Sequence, residues 1–327
     1  MNILLGELAY RMNIFSFLRS DIRKARFPKV VVIQTINRCN SACSMCPYVY
    51  TVAKEKETIM DESLYRKILN EISQYLEFET LFFTFQNEPL LDKRIFDWAK
   101  MFKQKLPKKR LELVTNGSLL TPDVAKEIYE YFDMVHVSLN ALSPKTHKIV
   151  SNTDQYNQIF DNLISISKNP QQQKKTIVRF VRQKANYFER KDFFRFWRKM
   201  GFMVFGFDAN DRLKDVKNFK EKINVPYSLF DRFKLKINKY LGKILLPTCP
   251  MPFLAIYIKA NGDVIQCFSD WSNNHILANV KNQSIGDIFN HNEKYVEVRK
   301  KLLDDHLDEN VICSKCDLYK ESVWLSS

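Results

Sequence analysis

Between residues 29 and 210 the chain alternates apolar, β-branched runs with amphipathic helical stretches, and this alternation confines it to a small group of folds. The runs are KVVVIQTI (29–36), ETLFFTF (79–85), RLELVTNG (110–117), DMVHVSLN (133–140), KTIVRFVRQ (175–183) and FMVFGFDAN (202–210), each with the composition of a buried strand. Helical periodicity follows over 60–76, 92–106, 121–132, 154–168 and 189–201. Thr121 is the predicted N-cap before Pro122, and Gly201 stops the last of these helices. Strand–helix repetition of this kind implies parallel strands joined by right-handed crossovers. The two architectures open to it are a doubly wound sheet and an open, partial barrel. Both keep their chemistry in the loops at the carboxyl ends of the strands. The cysteine loop after strand one, Glu88 after strand two, Asn116 after strand three, and Ser138 and Asn140 at the end of strand four should therefore meet on one face.

Cysteine spacing gives that face a chemistry. CNSACSMC (39–46) is C-x3-C-x2-C, three thiolates on one loop. Thiolates are soft ligands suited to zinc or to iron–sulfur clusters. Three of them can grip three irons of a [4Fe–4S] cubane and leave the fourth iron open to an outside ligand. A zinc site completed by a remote Cys or His, or buried free thiols, is the alternative. The second group is Cys249 and Cys267 flanking Gly262, then Cys313 and Cys316 as C-x2-C. LAIYIKANGDVIQCF (254–268) reads as a hairpin turning at Asn261-Gly262. Residues 284–291 and 294–305 read as helices. Four cysteines can close one auxiliary cluster or one structural zinc ribbon. His275, His291 and His306 read as surface or helix-face residues rather than ligands. Without a secretion signal, metal binding is favoured over disulfides for these seven cysteines.

A formal net charge of +14 could attract nucleic acid, an anionic substrate or an acidic redox partner. No zinc-finger, RNA-recognition or basic-zipper pattern is present, so nucleic acid is not an expected partner. The densest basic run, KQKLPKKR (103–110), reads as a solvated helix end and turn. Residues 1–28 read as an amphipathic basic helix packed on the main domain, with membrane-surface attachment as the alternative. No apolar run is long enough to span a bilayer, and a cytoplasmic location is expected. Residues 211–248 read as a charged connector.

These motifs, taken in order, resemble the radical S-adenosylmethionine (SAM) superfamily over roughly residues 29–210. CNSACSMC is similar to its cluster motif, QNEP (86–89) to its Gly-Gly-Glu-Pro turn, and TNG (115–117) and VSLN (137–140) to the segments after strands three and four. The resemblance implies a partial (β/α)6 TIM-like barrel whose open iron chelates SAM. Electron transfer from the reduced cluster, fed by a flavodoxin or ferredoxin, then yields a 5′-deoxyadenosyl radical that takes hydrogen from substrate. Cys39, Cys43 and Cys46 would hold the cluster and Glu88 the SAM ammonium. Asn116 and Ser138 would lie toward ribose or carboxylate, Asn140 would join them as a cofactor-binding residue, and Met45 would lie toward adenine through its backbone. Three departures from the family pattern stand out. Met45 replaces a frequent aromatic, Gln86-Asn87 replaces the glycine pair, and Ser151, with Lys148 nearby, stands where many relatives place a basic residue.

Residues 249–320 resemble the SPASM/twitch extension of the same enzymes, which implies a second, auxiliary [4Fe–4S] cluster on Cys249, Cys267, Cys313 and Cys316. The expected domains are thus 1–28, 29–210, 211–248 and 249–327. Three plus four cysteines leave no thiol to quench a substrate radical, which favours oxidation over epimerisation. The four-cysteine pattern looks most like aminocyclitol dehydrogenases. The expected substrate is a small polar molecule: a sugar, aminocyclitol or nucleotide-linked metabolite. Arg179, Arg182, Asp208 and Arg212 are the candidate catalytic residues near the ends of strands five and six. Radical modification of a ribosomally made peptide and a zinc-bound binding module are the rival readings.

Overall fold

The computed structural model describes residues 7, 25–211, 219–225, 248–271, 275–307 and 312–316. Each of the six predicted runs contains a strand: β1 (Val30–Ile33), β2 (Thr80–Phe83), β3 (Arg110–Thr115), β4 (Met134–Ser138), β5 (Thr176–Arg182) and β6 (Met203–Asp208). The crossovers carry α1 (Glu62–Ile72), α2 (Ile95–Lys105), α3 (Pro122–Tyr131), α4 (Pro144–Ser151), α5 (Tyr156–Ser167), α6 (Pro170–Lys174) and α7 (Arg190–Lys199). Thr121 caps α3 by accepting from the Val124 amide, as its sequence predicts. Gly201 ends α7 at φ 91°, where the Phe202 amide reaches back to the Trp197 carbonyl. Sequence periodicity missed α4 and α6, although Ser143-Pro144 and Asn169-Pro170 are cap-and-proline starts and both caps are made. After α8 (Phe219–Ile223) and α9 (Met251–Leu254) come β7 (Ala255–Ile258), β8 (Asp263–Ile265) and β9 (Ile276–Asn279), then α10 (Ile285–His291) and α11 (Glu293–Leu303).

The sheet runs β6-β5-β4-β3-β2-β1-β7-β8-β9. Strands β1 to β6 are parallel and sequential, and β6 does not return to β1, so the barrel is open. The predicted hairpin does more than turn back on itself. β7 lies parallel to β1, with Val30 opposite Ala255, while Val30 on its other side faces Thr80. The C-terminal strands therefore extend the same sheet, and the cysteine loop leaves a strand paired on both sides.

Strand alternation separates two faces. Val31, Ile33, Leu81, Phe83, Val178 and Phe180 pack against the helices in the main core. There Tyr65 and Trp98 stack at 4.3 Å, and the Tyr65 hydroxyl donates to the Trp98 carbonyl. Each fully buried Leu or Phe in such a layer contributes about 1.5–3 kcal/mol. The residues between them, among them Val32, Phe82, Tyr257, Ile177 and Phe205, form smaller clusters without helix residues on the inner face.

One expectation for a charged segment changes on the structure. The 103–110 run is not simply solvated: Lys103 pairs with Asp133 at 2.6 Å, and Lys109 donates to the Leu76 and Phe78 carbonyls. These long side chains tie together the turns that enter β2, β3 and β4. Of the predicted N-terminal helix, the part up to residue 24 lies outside the described residues apart from Glu7. Glu7 is helical, 4% exposed, ion-paired with Arg198 at 2.6 Å and hydrogen-bonded to the Val204 amide. That contact covers a backbone amide of edge strand β6 and fits packing on the main domain. The 211–248 connector lies mostly outside the described residues.

Candidate metal centre and cofactor site

The loop after β1 is held from three directions. The Ala42 and Ser44 amides donate to the Ser151 and Val150 carbonyls at the end of α4. The Ser44 hydroxyl donates to Gln183 Oε1, just past β5, at 2.9 Å. Tyr48, which follows the third cysteine, packs beneath the loop and accepts the Cys39 amide at 3.0 Å. Cys43 and Cys46 lie close enough to raise Cys39 electrostatically, and Cys46 close enough to raise Cys43. Desolvation pushes the Cys39 thiol well above its ordinary value and Cys43 up to about 12. Ser151, at the position where relatives place a base, hydrogen-bonds Cys43 instead and favours its thiolate.

Glu88 is 1% exposed, and its carboxylate is the centre of the turn after β2. Oε1 accepts from the Thr115 hydroxyl at 2.7 Å and the Leu90 amide at 3.1 Å, and Oε2 accepts from the Asn116 amide at 2.7 Å. Its own amide donates to the Arg38 carbonyl, next to Cys39. Burial outweighs these bonds and pushes the carboxyl up to about 7. Asn116 closes the ring: Nδ2 donates to Asn40 Oδ1 and Ser41 Oγ, while Oδ1 accepts from the Ser118 amide and hydroxyl. Both amide hydrogens and both lone pairs are thereby engaged. Asn116 thus orients the cysteine loop and has little capacity left for a ligand. Gly117 permits this turn at φ 81°, and a Cβ there would lie 2.6 Å from Val137 Cγ1. Gly117→Ala is expected to cost about 1–3 kcal/mol, read as a lower melting temperature.

Asn140 takes a left-handed backbone, φ 60°, and its Oδ1 accepts the Val181 amide, so β4 and β5 are locked at their exits. Ser138 lies opposite Arg179 on the inner face, and the Arg179 guanidinium sits over Phe207 at 4.8 Å. Arg182 and Asp208 form a bidentate pair at 2.6 and 2.8 Å. Their alternation puts them with the helix-facing Phe180 and Val204, not with Arg179. Arg212 lies outside the described residues. Met45 packs beside Tyr48, Phe219 and Trp271.

Sequence reasoning missed several participants. Asn40, Ser41, Ser44 and Tyr48 stand within or beside the cysteine motif, and their polarity between ligands was the available signal. Glu112 and His136 form a buried pair on the inner face, 2.9 Å apart, with Arg110 on the other carboxylate oxygen. Burial holds His136 below the usual imidazole range despite Glu112. The pair joins neighbouring strands, β3 and β4, at residues far apart in sequence.

The four remaining cysteines converge in the C-terminal segment. Cys267 feels Cys313, Cys316 and Cys249, and desolvation raises it well above its ordinary value. Burial also pushes Cys313 up to about 12, although Gln266 Nε2 donates to its sulfur at 3.0 Å. Among the described residues no three His, Cys, Asp or Glu side chains converge to hold a single metal ion. A cubane does not require that, because each thiolate takes a different iron. Both cysteine sets fit such a group: desolvated thiols close to one another, with nearby N–H and O–H donors to stabilise the thiolate form.

Residues 33–203 match the radical SAM superfamily model and 249–317 match an iron–sulfur cluster-binding domain, SPASM. The chain belongs to the radical SAM superfamily and carries a C-terminal SPASM domain, and the two domains imply SAM and iron–sulfur clusters. It is 23% identical, over 88% of its length and 92% of the relative's, to the S-adenosyl-L-methionine-dependent 2-deoxy-scyllo-inosamine dehydrogenase of Niallia circulans. The solved structure of BtrN with AdoMet and 2-DOIA superposes with a TM-score of 0.60 at 19% identity, covering 89% of this chain and 93% of that one. Streptococcus suis SuiB bound to precursor peptide SuiA gives a TM-score of 0.65 at 16% identity, covering 90% and 71%. Among the described residues no helix is long and apolar enough to cross a membrane.

Proposed function

We propose that this radical SAM enzyme dehydrogenates a small polar substrate, a sugar, aminocyclitol or nucleotide-linked metabolite, using two [4Fe–4S] clusters. The observation that carries the reading is the partition of all seven cysteines into a set of three and a set of four. No thiol remains as a hydrogen donor, so a substrate radical is better resolved by losing a proton and an electron. The similarity to the 2-deoxy-scyllo-inosamine dehydrogenase along nearly its whole length supports the same chemistry.

Bound SAM and the reduced cluster together supply the 5′-deoxyadenosyl radical. The protein's own part is to hold and orient. Cys39, Cys43 and Cys46 would bind the first cluster and Cys249, Cys267, Cys313 and Cys316 the second, which would accept the substrate's electron. Ionised Glu88 would take the SAM ammonium, while Ser138, Asn140 and the backbone at Met45 would border the nucleoside. On the inner face Arg179 would meet a substrate oxygen. Arg182 and Asp208 satisfy each other in a bidentate pair, and we assign them to the exit geometry of β5 and β6. An external flavodoxin or ferredoxin would deliver the reducing electron.

The test is anaerobic reconstitution followed by iron and sulfide counting and a 5′-deoxyadenosine assay with SAM and a strong reductant. About eight irons per chain and SAM cleavage support the reading. A colourless zinc protein that leaves SAM intact sinks it. With aminocyclitols and sugars offered as substrates, Arg179→Lys is expected to raise KM about tenfold while uncoupled SAM cleavage persists, because lysine cannot reproduce the guanidinium fork.

A further inference from the structure

Gln86 stands where a backbone of φ 54° suits glycine far better than a long side chain. It is 6% exposed, and its Nε2 donates to the Asp270 carbonyl at 2.9 Å, across more than 180 residues of sequence. Its Oε1 has no hydrogen-bond partner among the described residues. A strained backbone and a half-satisfied buried amide persist only when the surroundings hold them.

Those surroundings are the two metal sites. Asp270 is fully buried at the end of a tight turn built on Cys267: the Ser269 amide donates to Cys267 Sγ, and the Asp270 amide to the Cys267 carbonyl. The next residue, Trp271, packs in one apolar cluster with Cys39, Met45 and Cys46. Two residues beyond Gln86, the Glu88 amide donates to Arg38, the neighbour of Cys39. Phe85 and Phe268 both contact the Tyr257 ring, at 5.6 and 6.1 Å between centroids. The turn that carries Glu88 and the segment that follows an auxiliary ligand are therefore one connected body, and Gln86 is its polar tie.

We propose that Gln86 is a positioning residue that couples the auxiliary cluster site to the SAM site, so that assembly of the second site tightens binding at the first. This rests on the functional reading above, in which Glu88 meets SAM and Cys267 ligates the auxiliary cluster. Without the auxiliary cluster the Cys267 turn loses its anchor, and the Gln86 turn loses the carbonyl that holds it in a left-handed form.

The test uses the reconstituted holoenzyme and SAM as the probe. SAM affinity is titrated for wild type, Gln86→Gly, Cys313→Ala/Cys316→Ala, and the combination. In wild type the paired cysteine change should weaken SAM binding by about fivefold or more. In the Gln86→Gly background it should change affinity less than about twofold. Gln86→Gly should keep or raise the melting temperature, because glycine is at ease at that φ. A merely structural glutamine would lower it. Gln86→Asn tolerates the same backbone but is one methylene short, and should behave as the glycine variant does. Reciprocity provides a second readout that needs no cysteine change. SAM should shift the electron paramagnetic resonance signal of the reduced auxiliary cluster in wild type and not in Gln86→Gly. Equal weakening with and without Gln86, or a SAM-induced shift that survives its loss, overturns the proposal. If wild type holds both clusters yet binds no SAM, the functional reading itself fails and the coupling fails with it.

Discussion

Replacing Cys39, Cys43 and Cys46 together with alanine is expected to halve the iron content, from about eight to about four per chain, and to abolish 5′-deoxyadenosine formation. The two losses must occur together. The three cysteines share one loop whose amides are tied to α4 and whose Ser44 is tied to Gln183. Those ties do not involve the thiol groups, so the loop should keep its course and the second cluster should survive. Retention of the visible iron–sulfur absorbance at about half intensity, with no SAM cleavage, checks both points in one sample. Full iron retention would mean that the motif does not hold a cluster. Complete loss would mean that the second site depends on the first.

Glu88→Gln is expected to weaken SAM binding by about ten- to a hundredfold. A hydrogen bond to a charged group is worth about 1.5–3 kcal/mol, and about 1.4 kcal/mol is a factor of ten. The pH dependence gives a sharper signature. Burial raises the Glu88 carboxyl to about 7, from an ordinary 4.5. Below pH 7 the site without SAM is therefore mostly neutral, and binding the SAM ammonium must first expel a proton. Affinity should fall as pH drops through 7 and level off above it, while the Glu88→Gln variant stays flat. The stability term has its own sign. The folded chain holds this proton more tightly than the unfolded one, so Glu88 by itself makes the fold less stable as pH rises from about 4.5 through 7. A titration of SAM affinity from pH 6 to 8 in both proteins decides it.

The six core strands were legible because each is a local signal: a β-branched run, then a polar turn, then helical periodicity. Apart from the start of β3 at Arg110, their ends shortened by one to three residues, where the predicted runs included loop residues such as Asn116 and Gln183. Cysteine spacing was legible for the same reason. What local pattern could not show was partnership. The Asn-Gly hairpin was visible, but nothing in residues 254–268 says that β7 lies beside β1. Arg182 and Asp208 looked available at strand ends, yet β5–β6 register sets them opposite each other, and each becomes the other's bidentate partner. Glu112 and His136 were passed over because each looks like a stray polar residue in an apolar strand until neighbouring strands bring them together. Gln86 looked like a departure from a glycine motif, and its reason, the Asp270 carbonyl, lies far along the chain.

The placement of β7 carries a consequence for how the protein is made. β1 is the apolar strand VVVI, and the partner for its second edge begins at residue 255. At about 5–20 residues per second, a ribosome leaves that edge uncovered for roughly ten seconds or more. A bare, β-branched edge is a template for pairing with another nascent chain. Such a distant pairing also gives the fold high contact order and slow closure. Expression yield should therefore depend on chaperone supply and growth temperature, and cutting the chain before residue 249 should give aggregates rather than a trimmed catalytic core.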